Sequence, residues 1–190
     1  MTQLAMPHPM PMQAGAKSLS FEEVYSETFG YVFHALRRLG VQARDLEDVV
    51  HDVFVAAHRH FSSYDSTRPI KPWLFGFAYR TASDYRQLAR HRQVPQPEGF
   101  DVVDVGNLPD EQLAQKQAQE RFAKALDALD LDRRAVFVMH DINGHSMPEV
   151  ADALGVPLNT GYSRLRLARR DLEAALRDSE PRMERAHVHR

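Results

Sequence analysis

The stretch "LGVPLNTGYSRLRLARR", residues 154–170, sets Arg164, Arg166, Arg169 and Arg170 beside Tyr162 and Ser163. A guanidinium offers its N–H donors in a fixed fork, which suits a phosphate or the paired acceptors on a guanine edge. A second basic cluster, Arg68, Lys71, Arg80, Arg86, Arg90 and Arg92, meets only one acid, Asp84, along its length. Acid gathers instead over residues 98–132, where nine Asp and Glu face three Lys and Arg. The net charge of -2 argues against a chain that grips DNA unaided, because neutralising phosphates normally calls for a basic domain. The clustering of charge is therefore more informative than its sum.

Other chemistries are poorly served. The chain has no cysteine, which excludes disulfides, thiolate zinc sites and cysteine nucleophiles. His51, His58 and His60 are seven and nine residues apart at most, without an ordered carboxylate set, so no metal site is expected. No Gly-rich phosphate loop or nucleophile elbow is present, and neither an enzyme nor a cofactor is expected. No apolar run approaches the roughly 20 residues that span a bilayer, so no membrane insertion is expected. The opening "MTQLAMPHPMPMQAGAK" lacks a basic start followed by an apolar stretch, so the expected location is cytoplasmic.

The elements that would position these side chains all read as helices, and the expected class is all-α. Ser20 with Glu23 forms a capping-box pattern, and Val24, Thr28, Val32 and Leu36 follow on one stripe with Tyr25, Phe29 and Phe33 beside it. From about Asp45 a second helix buries Leu46, Val49, Val50, Val53, Phe54 and Ala57. Glu47, Asp48, His51 and Asp52 then form an acidic ridge on its outer side, either a solvated face or a partner surface. A third helix from about Lys71 places Leu74, Phe77, Ala78, Thr81, Tyr85 and Leu88 inward and its arginines outward. Trp73 reads as core packing; Phe75 lies off the stripe, as an exposed aromatic or a contact to the first helix.

A second capping box, "SMPE" at 146–149, opens a short helix that Gly155 stops. After the Val156-Pro157 turn, Asn159 or Thr160 caps a helix that buries Gly161, Leu165, Ala168 and Leu172. That stripe turns Tyr162, Ser163, Arg166, Arg169 and Arg170 outward with Arg164 on their flank, which is the helix-turn-helix plan. The same helix also reads as a basic end offsetting its own dipole. Residues 93–111 combine proline, glycine and scattered acids without periodicity, so two small helical domains, 18–92 and 112–177, are expected across a flexible linker. Residues 1–17 and 178–190 read as disordered tails.

Three ordered motifs carry a resemblance. "DLEDVVHDVFVAAHRHFSSYD", "KPWLFGFAYRTASDYRQLARHR" and "LDRRAVFVMHDINGHSMPEVADALGVPLNTGYSRLRLARRDL" resemble bacterial RNA polymerase sigma factors of the extracytoplasmic-function (ECF) group, built from regions 2 and 4. The resemblance runs from about Phe21 to Leu176. It implies a subunit that binds core RNA polymerase, recognises the -10 and -35 promoter elements and promotes DNA opening. Glu47, Asp48, His51 and Asp52 would then meet the clamp coiled coil of the β′ subunit, with the β flap a further contact. Phe61, Ser63, Tyr64 and Asp65 would form the pocket for a flipped -10 base, while Lys71, Arg80, Arg86, Arg90 and Arg92 serve the melted promoter. Thr160, Tyr162, Ser163, Arg164, Arg166, Arg169 and Arg170 would face the -35 element. An anti-sigma factor is the further partner implied. Two positions depart from the family's habit: Gly161 where valine is common, and Leu167 where a basic residue is common. The alternative reading is a stand-alone helix-turn-helix regulator, which would bind duplex without polymerase; a helical adaptor would leave both basic clusters unused.

Overall fold

The computed structural model describes residues 20–91 and 110–179, and within them every regular element is helical. Most of the expected linker, the expected tail at 1–17 and the expected tail at 178–190 beyond its first two residues, which continue the last helix to Ser179, lie outside the described residues, as does Arg92.

Helix α1 spans Phe21–Arg38. Its capping box is formed: the Glu22 amide donates to Ser20 Oγ (3.2 Å) and the Ser20 amide donates to Glu23 Oε2 (3.1 Å). Val24, Thr28, Val32 and Leu36 are buried as the spacing predicts. Helix α2, Leu46–His60, buries all six of the expected residues. Helix α3, Ile70–His91, packs with α1 and α2 into a three-helix layer.

One open reading of α3 is decided and one expectation needs correction. Phe75 is fully buried, and Leu88, placed inward by the spacing, is 57% exposed. Helix α3 packs against α1 and α2 and, around Gly76, also against α6, whereas Leu88 in its last turns is left to solvent.

Helix α4 covers Asp110–Asp127, starting within the stretch read as linker, and α5 covers Leu131–Phe137. Asp130 caps α5 by accepting from the Arg133 amide at 3.0 Å. Helix α5 runs directly into a π-helical turn, Val138–Ile142. The short helix α6, Met147–Leu154, has its capping box at Ser146 and Glu149, and Gly155 stops it with φ 65°, a left-handed conformation that costs glycine little. Helix α7 starts at Leu158, ahead of the expected cap at Asn159 or Thr160, and reaches Ser179. The amides of Thr160 and Gly161 donate to the Pro157 carbonyl, so the turn itself closes the first helical ring. The stripe Gly161, Leu165, Ala168 and Leu172 is buried as expected.

A single apolar cluster joins Leu36, Val53 and Phe75 to Val136, Met139 and Val150. Helix α6 reaches α3 at Gly76, where a Cβ would stand 2.6 Å from the Ala153 carbonyl oxygen; only the missing side chain allows the approach. Polar contacts surround this seam. Arg68 Nη1 lies 2.6 Å from Asp152 Oδ2, Tyr31 Oη and His145 Nε2 share a 3.0 Å hydrogen bond, and Tyr79 donates to Asp132. Exposed ion pairs contribute about 0–1 kcal/mol each, against roughly 1.5–3 kcal/mol for a large apolar side chain taken fully out of water. Burial of Phe75 therefore weighs more in the seam than Arg68 with Asp152. Arg134 is the one charged residue buried among the described residues; it donates to Asp127 Oδ1 at 2.8 Å and lies against Gly40.

Candidate nucleic-acid interface

The exposed face of α7 follows from its buried one. With Gly161, Leu165, Ala168 and Leu172 turned inward, Tyr162, Ser163, Arg166, Arg169 and Arg170 share the solvent side, and Tyr162 is 54% exposed. Thr160 is half-buried in the first turn. Arg164 is not brought to this stripe: it points the other way and pairs with Asp132, the carboxylate that Tyr79 also engages. Burial, and then that shared carboxylate, push the Tyr79 hydroxyl up to about 12, so it stays a donor. Arg170 donates through Nε (2.9 Å) and Nη2 (2.7 Å) to Asp171 Oδ1. Arg166 forms no hydrogen bond or ion pair with another described residue. It is thus the arginine of the stripe whose donors are uncommitted.

Gly161 has a packing reason. A Cβ there would meet Met147 Sδ at 2.7 Å, so the first residue of α6 occupies the space that a side chain at 161 would need. The Ala168 and Leu165 contacts then seat α7 on α5 and α6.

The loop after α2 forms a second candidate surface. Phe61 begins a short 3-10 turn, Phe61–Ser63. Its ring stacks on Tyr64 at 6.0 Å between centroids, and Trp73 lies 5.0 Å from Tyr64 and 4.8 Å from Phe77. Trp73 is therefore packed into a half-buried ring cluster, as expected. Tyr64 Oη donates to the Arg68 carbonyl, and Ser63 Oγ donates to the His60 carbonyl at 2.7 Å. Asp65 accepts from the amide (3.0 Å) and hydroxyl (2.7 Å) of Thr67, and these bonds hold its carboxyl below the usual range. The loop is thus fixed by its own side chains with its aromatic edge at the surface.

The basic residues of α3 divide between two faces. Arg80 lies over the Phe77 ring, 4.7 Å from its centroid, beside the ring cluster. Lys71 lies on the other side, over Tyr31 at 5.7 Å, and Arg86 turns toward the end of α1, with Nη1 3.5 Å from the Leu39 carbonyl oxygen. Arg90 lies in the last turn of α3.

The acidic ridge stands as patterned. Glu47, Asp48, His51 and Asp52 are exposed along α2, and none forms a hydrogen bond or ion pair with another described residue. Among the described residues, no group of three or more His, Asp or Glu is placed to hold a metal, and no helix is long and apolar enough to cross a membrane.

Asp141, in the π-helical turn, escaped the sequence reading. It accepts from Arg169 Nε at 2.8 Å and Nη2 at 2.7 Å, a pairing across 28 residues that no local periodicity encodes.

Comparison with known proteins gives a consistent answer. Residues 24–92 match the family model for sigma-70 region 2, and residues 119–172 match that for sigma-70, region 4. RNA polymerase sigma factor CnrH of Cupriavidus metallidurans is 33% identical over 159 residues, covering 77% of this chain and 81% of the relative. ECF RNA polymerase sigma factor SigL of Mycobacterium tuberculosis is 31% identical over 168 residues, covering 87% and 93%. The solved structure of CnrH in complex with the cytosolic domain of CnrY superposes with a TM-score of 0.60 at 29% identity, over 84% of this chain and 88% of that one. The sigma factor RpoE, crystallised with the anti-sigma factor NepR from Bartonella quintana, shares the fold, with a TM-score of 0.66 at 22% identity over 84% and 98%.

Proposed function

Because the chain belongs to the sigma-70 family of RNA polymerase sigma factors, in the ECF group with regions 2 and 4, we propose that three of its surfaces divide the work of promoter recognition. As a sigma factor it binds core RNA polymerase and recognises promoter DNA for the start of transcription. The acidic ridge of Glu47, Asp48, His51 and Asp52 docks on polymerase, where complementary charge sets orientation and on-rate. The loop of Phe61, Ser63, Tyr64 and Asp65 receives an unstacked -10 base, with Arg80 beside it. Tyr162, Ser163, Arg166, Arg169 and Arg170 read the -35 duplex, with Thr160 and Arg164 supporting them, while Lys71, Arg86, Arg90 and Arg92 flank the melted -10 element. The two regions act as separate readers on either side of residues 93–111. The protein works in the cytoplasm beside the polymerase, as a non-enzymatic subunit, and an anti-sigma factor binds it, as NepR binds the structural neighbour RpoE.

The exposed stripe on α7 carries this reading, because a basic, solvent-facing row on the second helix of a helix-turn-helix is what a major groove accepts. Polymerase supplies much of the non-specific affinity, so the near-neutral chain need only position and specify. A promoter-opening assay with purified core polymerase tests it. The parent chain directs opening, Asp48→Arg with Asp52→Arg abolishes core binding while the fold persists, and Arg166→Ala weakens -35 binding by about 1–3 kcal/mol. A folded parent that fails to bind core polymerase, yet shifts duplex by itself, would sink the reading in favour of an independent regulator.

A further inference from the structure

Arg169 differs from the other arginines of α7 in what holds it. Asp141 accepts side-on from Nε and Nη2, at 2.8 and 2.7 Å, and Asp141 Oδ1 also lies 2.7 Å from His140 Nδ1. The fork uses two of the five guanidinium donors. Both hydrogens of Nη1 and one of Nη2 remain; one from each nitrogen forms the end-on edge, and the other Nη1 hydrogen points back beside Cδ. The Arg169 side chain is 55% exposed and that of Asp141 only 21%, so the acid is the more covered partner. Arg169 itself belongs to the same exposed stripe as Tyr162 and Arg166, so its unpaired donors are open to a partner on that face.

We propose that Asp141 is a positioning residue for promoter reading: it clamps Arg169 so that the outer guanidinium edge meets a pair of acceptors on the DNA, the O6 and N7 of a guanine or two phosphate oxygens. The inference rests on the reading of α7 as the recognition helix. An unclamped arginine loses rotamer freedom when it binds, whereas a clamped one has already lost it. The π-helical turn is what delivers the clamp, since it sets Asp141 opposite a residue 28 positions later.

The sign of one substitution separates this role from a bystander. A carboxylate near DNA repels phosphates, so deleting a bystander acid leaves binding unchanged or tighter. Deleting a clamp weakens it. The experiment uses holoenzyme made from the full chain and core polymerase, with fluorescent duplexes that the parent holoenzyme enriches from a randomised library. Asp141→Ala is expected to weaken binding about fivefold, Arg169→Ala at least as much, and the double variant no more than Arg169→Ala, because Asp141 acts only through Arg169. Asp141→Asn, which keeps one acceptor, falls between, and guards against a loss of fold in the alanine variant. If the target is a guanine, preference at one base pair relaxes in Asp141→Ala at constant salt slope; if it is phosphate, the loss is uniform across sequences and the salt slope falls. Asp141→Ala binding as tightly as the parent, or additive losses in the double variant, overturns the proposal alone. An Arg166→Ala holoenzyme with undiminished binding overturns the recognition-helix reading, and the proposal with it.

Discussion

At the scale of single residues, side chains that depend on one another across the sequence shape the recognition helix. Gly161 stands at a buried position of α7 where helix propensity alone would disfavour it by roughly 1 kcal/mol against alanine. The space it leaves is filled by Met147 Sδ. Gly161→Val is therefore expected to destabilise the chain by about 1–3 kcal/mol through overpacking, despite the better propensity of the new residue. In a Met147→Ala background the same change should raise the urea midpoint, because it then fills a cavity. A Gly161→Val midpoint at or above the parent's would show that Met147 moves aside freely. Neither partner announces the other in the sequence, where Gly161 reads only as an unhelpful residue near a helix start.

Among the elements, α1, α2 and α7 were legible because each buries one face against neighbours on the same side. Their apolar residues recur at three-and-four spacing, and Val24 to Leu36, Leu46 to Ala57 and Gly161 to Leu172 are buried accordingly. Helix α3 was legible only in part. It touches α1 and α2 and also α6, so Gly76 takes its role from a helix more than 70 residues later. Spacing within α3 cannot report that. The candidate site divides in the same way: the exposed stripe of α7 follows from its buried one, whereas the Arg164 pairing with Asp132 and the Asp141 clamp depend on chain segments brought together only by folding. Gly76→Ala offers a test whose sign is informative. Alanine favours an isolated helix by about 1 kcal/mol, but here its Cβ meets a backbone carbonyl that cannot turn away. We expect α3 and α6 to part and thermal stability to fall. Because the chain has no cysteine, fluorophores placed by Arg59→Cys and Ala174→Cys report the separation of α2 and α7 directly. An unchanged distance with a higher melting temperature would refute the contact.

For the molecule as a whole, the contact between the two sets of helices includes a titratable group. His145 shares a hydrogen bond with Tyr31 of α1, with Lys71 of α3 and Glu149 of α6 nearby. Burial pushes the imidazole below its ordinary value of 6.5, and Lys71 adds to this while Glu149 opposes it. The neutral form therefore suits the packed arrangement. The contact is intact above pH 6.5 and weakens as pH falls toward the lowered value, because the unpacked chain takes up the proton more readily. The same fluorophore pair should begin to separate as pH falls below 6.5, and His145→Gln should flatten that response. A distance that ignores pH in the parent chain would remove His145 from the contact.

The approach of Gly76 to the Ala153 carbonyl also bears on how such proteins can be recombined. A graft that brings in the second half of a relative for its promoter preference replaces Ala153 and Asp132 as well, and these residues fit Gly76 and Tyr79 of the recipient. The promoter specificity of the hybrid would follow the donor, whereas its resting compactness would depend on a seam that neither parent contains. Designers exchanging recognition helices within this framework should therefore keep α3 and the half that carries α7 from the same parent.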